Sequence, residues 1–401
     1  MNTTTPVSSS SPTCLTRREF LGASAAFAAA AATSPALGFA ADGAKPKAAV
    51  IGHTGRGDYG HGLDVLFTGR TDVELVAVAD PDAAGRAKAA DKIKAPRQYA
   101  DWREMLAKEK PQLVSLAMRQ ADQHREIGLG VLKSGAHLFS EKPFVTCPAE
   151  SDELLAEAQK RGLRITVAHQ MRMAPLIAAL KKAMGEGLIG DLLEVRAFGK
   201  QDARAGGEDM IVLGSHLFDL MRLFAGDPLW CTARVLQKGR DIAKADARVM
   251  RDNVGPIAGD EVNAQFAFAN GVMGGFTSRG RQRELVGQWC IEFTGSKGAA
   301  RILANIPPQI FVLKTGGWKA AGRSDEWRKV EFPGAAVENF AQANTRLVDD
   351  WLAAIGGKRE PECSGRNAAW AVEMVMAVYQ AALTGQRAMF PLKSRGHPLA
   401  A

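Results

Sequence analysis

Short apolar runs alternate with amphipathic stretches through the first half of the chain. Lys47 to Ile51 is apolar and ends in the turn Gly52-His53-Thr54-Gly55-Arg56-Gly57. Leu63, Val65 and Leu66 then mark an amphipathic stretch that predicts a helix. Val73 to Ala79 reads as a second buried strand and stops at Asp80. Leu113 to Ala117, His137 to Ser140 and Arg164 to Ala168 are three further strand-like runs, with predicted helices over Asp122 to Ser134 and Pro148 to Arg161 between them. Strand and helix alternating in this way predict a doubly wound α/β domain with a parallel sheet, spanning residues 44–168.

From about Gly190 the pattern switches to period two. Asp191 to Phe198, Glu261 to Phe268, Val272 to Thr277, Trp289 to Thr294, Ala300 to Leu303 and Ile310 to Leu313 read as strands, and Asn270-Gly271 is a hairpin signal. A helix is expected over Ile211 to Phe224, a long loop over Leu236 to Gly259, and two closing helices at about Val337 to Ala354 and Arg366 to Leu383. The expectation is an α+β domain over residues 169–392 with a largely antiparallel open sheet.

The first forty residues have a different character. Thr16-Arg17-Arg18-Glu19-Phe20-Leu21-Gly22 precedes a weakly apolar Ala-rich stretch, and Gly38-Phe39-Ala40 offers small residues for a signal peptidase. That order reads as a twin-arginine signal peptide and predicts export to the periplasm through the twin-arginine translocase. The apolar run is too short and too weak for a retained membrane helix, and no stable membrane insertion is expected. This route carries folded proteins, often with a cofactor already in place, so a dinucleotide made in the cytoplasm would have to be tightly held.

Composition narrows the function classes. With 46% hydrophobic and 23% charged residues, the 401-residue chain resembles a globular protein of two domains. The net charge of +8 comes from scattered Lys and Arg with no nucleic-acid motif, so nucleic acid is not an expected partner. Cys14 leaves with the leader, and Cys147, Cys231, Cys290 and Cys363 form no C-x-x-C pair, so no metal site is expected.

The glycine turn lets backbone N–H groups approach a pyrophosphate at a helix N-terminus, with Gly52, Thr54, Gly55 and Gly57 as the candidate residues. Thr54 stands where G-x-G-x-x-G has its middle glycine. An acid at the tip of the second strand accepts bonds from the adenosine ribose hydroxyls and repels a 2′-phosphate, so Asp80 points to NAD(H) over NADP(H). The competing role for Asp80 is a cap on the helix from Ala83.

Ser140-Glu141-Lys142-Pro143 after the fourth strand-like run, together with the glycine turn, resembles the Gfo/Idh/MocA oxidoreductases. His124, His169-Gln170-Met171-Arg172, Gly190-Asp191 and Gly214-Ser215-His216-Leu217-Phe218-Asp219 add ordered matches across roughly residues 46–392. The resemblance implies that Lys142 is the general acid/base, that His216 handles the proton of the reacting oxygen, and that Glu141 and His124 help to hold the cofactor. A buried Lys suits that role because desolvation lowers its pKa. Related dehydrogenases carry Asp four residues before the His, where this chain has Val212, and Asp209 or Glu208 is the nearest substitute carboxylate. Arg172, Lys200, Asp209 and Asp219 are candidate contacts to a carbohydrate-like substrate, with surface ion pairs as the alternative for Arg172 and Lys200. The resemblance also implies a homo-oligomer. Two other functions compete with a sugar, polyol or sugar-acid oxidoreductase. One is a glycosidase-like enzyme using transient oxidation and elimination; the other is a non-catalytic dinucleotide- or sugar-binding protein.

Overall fold

Six strands form a parallel sheet in the order β3-β2-β1-β4-β5-β6. They are β1 (Lys47–Ile51), β2 (Glu74–Ala79), β3 (Arg97–Tyr99), β4 (Leu113–Leu116), β5 (His137–Ser140) and β6 (Ile165–Val167) in a computed structural model that describes residues 44–280, 289–314 and 326–400. The leader expected over residues 1–40 lies outside the described residues. β4 and β5 are buried along their whole length, as a parallel sheet covered on both faces requires. The helices are α1 (Ala83–Ile93), α2 (Trp102–Glu109), α3 (His124–Lys133) and α4 (Pro148–Arg161). Asp82 and Asp101 cap α1 and α2 by accepting from Gly85 N and Arg103 N.

Two features of this domain depart from the sequence pattern. No α-helix follows β1: Gly52 to Gly69 runs as successive turns with one 3-10 turn at Gly60–Gly62. Gly55, Gly57, Asp58, His61, Gly62 and Gly69 all take positive φ there, which a helix cannot accommodate. The short strand β3 and the helix α2 were also not anticipated, because Arg97-Gln98-Tyr99 is polar and only the main chain of β2 recruits it.

The sheet face left open by the missing helix is covered from far along the chain. Helix α8 (Phe340–Gly356) follows α5 (Pro175–Gly185), α6 (Gly207–Val212) and α7 (Gly214–Ala225) and sets Leu347, Val348, Trp351 and Ile355 into one core with Val50, Leu63, Phe67, Val78 and Phe139. Trp351 meets Phe139 edge-on with ring centroids 5.7 Å apart. Burial of a Trp in such a core is worth about 3–5 kcal/mol relative to Ala.

The second sheet has ten strands, including β7 (Leu192–Phe198), β8 (Pro228–Gln237), β9 (Arg240–Asp241), β10 (Glu261–Phe268) and β11 (Met273–Arg279). β12 (Cys290–Gly295), β13 (Ala299–Leu303), β14 (Gln309–Leu313), β15 (Arg328–Lys329) and β16 (Ala388–Met389) complete it. All pairings are antiparallel except β7 with β11. Asn270 and Gly271 form the β10–β11 hairpin with φ of 57° and 76°, the left-handed pair that such a turn demands. Helix α9 (Gly365–Thr384) packs against β8, α7 and α4. The expected single helix over Ile211 to Phe224 is two, α6 and α7, parted at Leu213. β8 was unforeseen because Pro228 and the mixed run after it carry little alternation. Among the described residues no helix is long and apolar enough to cross a membrane.

Candidate active site

The loops leaving β1, β5, β6 and β7 meet α7 around a cavity of about 350 Å³. Its lining includes His61, Lys142, Gln170, Lys200, Arg204, His216, Trp289 and Phe340. The two residues expected to carry the chemistry, Lys142 and His216, therefore share one cavity although they lie in different domains.

Lys142 leaves the end of β5 next to a cis bond to Pro143 and is only 6% exposed. Its Nζ donates to the backbone carbonyl of Val212 at 2.9 Å, so the position where an Asp was expected contributes a neutral acceptor. Burial holds the Lys142 pKa below its ordinary 10.5, and Glu141 opposes that shift. His216 lies in α7 beside the rings of His169, at 5.2 Å, and Trp289, at 6.0 Å. Burial, reinforced by Lys142 and the neighbouring histidines, pushes His216 well below 6.5, so it is neutral at neutral pH. Its Nδ1 is buried without a protein partner.

Other expected site residues are placed elsewhere. The Asp209 carboxylate accepts from Lys200 N at 3.2 Å, Gln201 N at 3.0 Å and Ser278 Oγ at 2.6 Å. It anchors the loop that carries Lys200 and is not brought to His216. Arg172 and Asp219 pair with each other at 2.8 Å, off the cavity wall. Both ring nitrogens of His124 face backbone carbonyls: Nδ1 lies 3.0 Å from Pro143 O and Nε2 lies 2.8 Å from Met118 O. His124 therefore bears on the site by joining the loop after β4 to the Lys142 loop. Only Lys200 of the four tentative substrate residues lines the cavity.

Sequence reasoning missed His61, Arg204, Trp289 and Phe340. His61 sits in the glycine-rich segment and bonds the Glu141 carboxylate, while its ring stacks on Phe340 at 5.9 Å. Histidine is scarce here, with seven in the chain. One placed in a cofactor-type turn was the available signal. Phe340 carried none, because its role depends on α8 folding back onto the first domain.

The residues fit a dinucleotide in type. Asp80 directly follows β2, at the strand end where such a fold places a ribose-binding acid. A Cβ on Gly57 would fall 2.7 Å from the backbone nitrogens of Arg119 and Gln120, so only Gly allows the two loops to approach. At the other end, Glu141 Oε2 and His216 Nδ1 are buried polar atoms awaiting a partner. The loop after β1 is closed over Asp80 in this structure. Thr54 N and Oγ1 donate to Asp80 Oδ2 at 3.0 and 2.7 Å, and Asp82 N donates to Oδ1 at 2.9 Å. Asp80 is fully buried, and the Tyr59 ring lies where a Gly52 side chain would be. Ribose contact at Asp80 requires this turn to move aside.

Comparison with known proteins agrees with the geometry. Residues 47–169 match the family model described as "Oxidoreductase family, NAD-binding Rossmann fold", and residues 191–390 match "Oxidoreductase family, C-terminal alpha/beta domain". D-Apiose dehydrogenase of Paraburkholderia graminis is 26% identical over 328 residues, covering 78% of this chain and 82% of the relative. Levoglucosan dehydrogenase of Pseudarthrobacter phenanthrenivorans is 27% identical over 225 residues, covering 50% of this chain and 57% of its own length. A solved levoglucosan dehydrogenase in complex with NADH and levoglucosan superposes with a TM-score of 0.68 at 20% identity, covering 87% of this chain and 100% of that one.

Proposed function

The chain belongs to the GFO_IDH_MocA oxidoreductase family, and on that premise we propose that it is an NAD(H)-dependent dehydrogenase of a sugar, polyol or sugar acid, with Lys142 as general acid/base and His216 beside it. The observation that carries this reading is the convergence of a desolvated Lys142 and a neutral His216 on one cavity at the strand ends of an NAD-binding fold. The named activities of the two dehydrogenase relatives support a carbohydrate substrate. Bound NAD⁺ would supply the two-electron acceptor for the hydride lost from the alcohol carbon. Lys142 Nζ takes the hydroxyl proton as the carbonyl forms, and burial, which lowers its pKa, favours the unprotonated amine that this step needs. The carbonyl of Val212 fixes the amine without adding charge. His216, neutral, hydrogen-bonds the reacting oxygen and orients it toward Lys142.

Asp80 supports NAD(H) over NADP(H), since its carboxylate repels a 2′-phosphate. Export in the folded, cofactor-bound state, with the cofactor tightly held, belongs to the same proposal and rests on Arg17-Arg18 and the Ala-rich run. A homo-oligomer does too, formed on the outer face of the second sheet, where Thr232, Asn263, Gln265 and Thr277 point away from the core.

The test is Lys142→Met, which keeps the apolar stem and removes the amine. Turnover of a confirmed substrate should fall by on the order of 100- to 10,000-fold. NADH affinity, followed by titration of its fluorescence, should change little. Near-normal turnover removes Lys142 from the mechanism, and lost NADH binding makes it a cofactor-holding residue.

A further inference from the structure

The cavity wall is lined by basic side-chain types, of which Lys200 and Arg204 carry the fixed positive charge. Five of its lining side chains are basic types, His61, Lys142, Lys200, Arg204 and His216, and no Asp or Glu lines it among the described residues. The nearby acids are already engaged or set back. Glu141 is fully buried and turned to His61. Asp202 is shared: its carboxylate accepts from Arg204 Nε at 3.0 Å and lies 3.7 Å from Lys200 Nζ. Asp252 acts on Lys142 through space without lining the cavity. Lys200 and Arg204, with 42% and 30% of their side chains exposed, share one direct ion-pair partner in Asp202, while Asp252 and Asp209 act on Arg204 only through space.

The loop bearing those two cations is held at both ends before any substrate arrives. Asp209 accepts from Lys200 N and Gln201 N, Ser278 Oγ accepts from Gly206 N at 2.9 Å, and Gln201 Oε1 accepts from Arg279 N at 3.0 Å. A cationic pair fixed in a half-enclosed cavity attracts an anion more strongly than mobile surface lysines do, because less water screens it and less ordering is needed.

Resting on the dehydrogenase reading above, we propose that the substrate is a carboxylate-bearing alcohol, a sugar acid or hydroxy acid. Lys200 and Arg204 receive its carboxylate, and its reacting hydroxyl faces Lys142 and His216. Two cations that already share one direct carboxylate suit a carboxylate monoanion better than a phosphate dianion, and the cavity is small.

Matched pairs decide this. The full-length protein, with and without saturating NADH, is titrated calorimetrically with D-glucuronate against D-glucose, D-galacturonate against D-galactose and L-tartrate against L-threitol, with D-glucose 6-phosphate as a further arm. In at least one pair the carboxylate should bind about tenfold or more tightly than its neutral partner, and the gap should shrink at high salt. Lys200→Gln with Arg204→Gln should close that gap and leave NADH affinity unchanged. The inference is overturned if no pair favours the acid, if glucose 6-phosphate outbinds glucuronate, or if the gap survives both substitutions. NAD⁺ reduction by neutral sugars alone would sink this inference and keep the dehydrogenase reading. Absence of both NADH binding and NAD⁺ reduction would sink that reading, and the carboxylate comparison without cofactor would still decide this one.

Discussion

Burial decides protonation for several single residues of this protein. His137 opens β5, is 5% exposed, and accepts from Arg164 N at 2.9 Å through Nδ1. Burial first, and then the Arg164 charge, push it down to about 4. His397 is likewise pushed down to about 4 by burial. Both are neutral in the folded protein, whereas the unfolded chain protonates them below about 6.5. Their stabilising effect is therefore fully present above pH 6.5 and is lost as pH falls toward 4, at most on the order of 3 kcal/mol for each. Urea unfolding at pH 7.5, 6.0 and 5.0 should show stability declining before ordinary carboxylates begin to titrate. His137→Asn should flatten the curve, and an equally steep decline in that variant would clear His137 of the effect. The same logic underlies Lys142 and His216, where desolvation by the second domain shifts groups that an isolated strand end or helix would leave solvated.

Among elements, the pairing of α6 with the end of β7 governs the site most directly. Asp209 on α6 gathers two backbone donors from the loop after β7 and the hydroxyl of Ser278 at the end of β11. Burial raises its pKa while these donors oppose the rise. Asp209→Ala would leave three buried donors without their acceptor and free the loop carrying Lys200 and Arg204. We expect a loss of about 3 kcal/mol in stability, read by thermal denaturation. In the surviving folded fraction, KM should rise more than kcat falls, because the loop binds and does not react. Asp209→Asn, which keeps one oxygen and the shape, should recover most of both. An unchanged KM in the alanine variant would show that the loop holds its place without Asp209. The break at Leu213 belongs to the same design: it ends α6 at Val212, whose carbonyl is thereby free to accept from Lys142.

For the molecule as a whole, the first domain is completed by a helix from the second half of the chain. α8 closes the sheet face beside β1, and its first residue, Phe340, reaches the cavity through His61. Arg17→Lys with Arg18→Lys in the full chain should leave the protein in the cytoplasm. Cell fractionation checks it, and periplasmic protein in normal amount would reject the twin-arginine reading. Native mass spectrometry of the wild-type periplasmic fraction would report retained dinucleotide and subunit number together.

The alternation of apolar runs and amphipathic stretches was enough to determine the parallel sheet, the switch to an antiparallel second sheet and the Asn270-Gly271 hairpin, because those depend on local period and turn chemistry. The glycine turn and Asp80 were marked as candidates by the same pattern, whereas Lys142 stood out only through the family resemblance of Ser140-Glu141-Lys142-Pro143. Tertiary structure alone decided the rest. The turn-rich path after β1 follows from left-handed residues that the apolar pattern does not register. The ion pair of Arg172 with Asp219, the anchoring role of Asp209, and the presence of His61, Arg204 and Phe340 in the cavity depend on contacts between segments far apart in the chain. Local sequence sets which side chains are available; long-range packing sets which of them lose water, find partners or face the cavity.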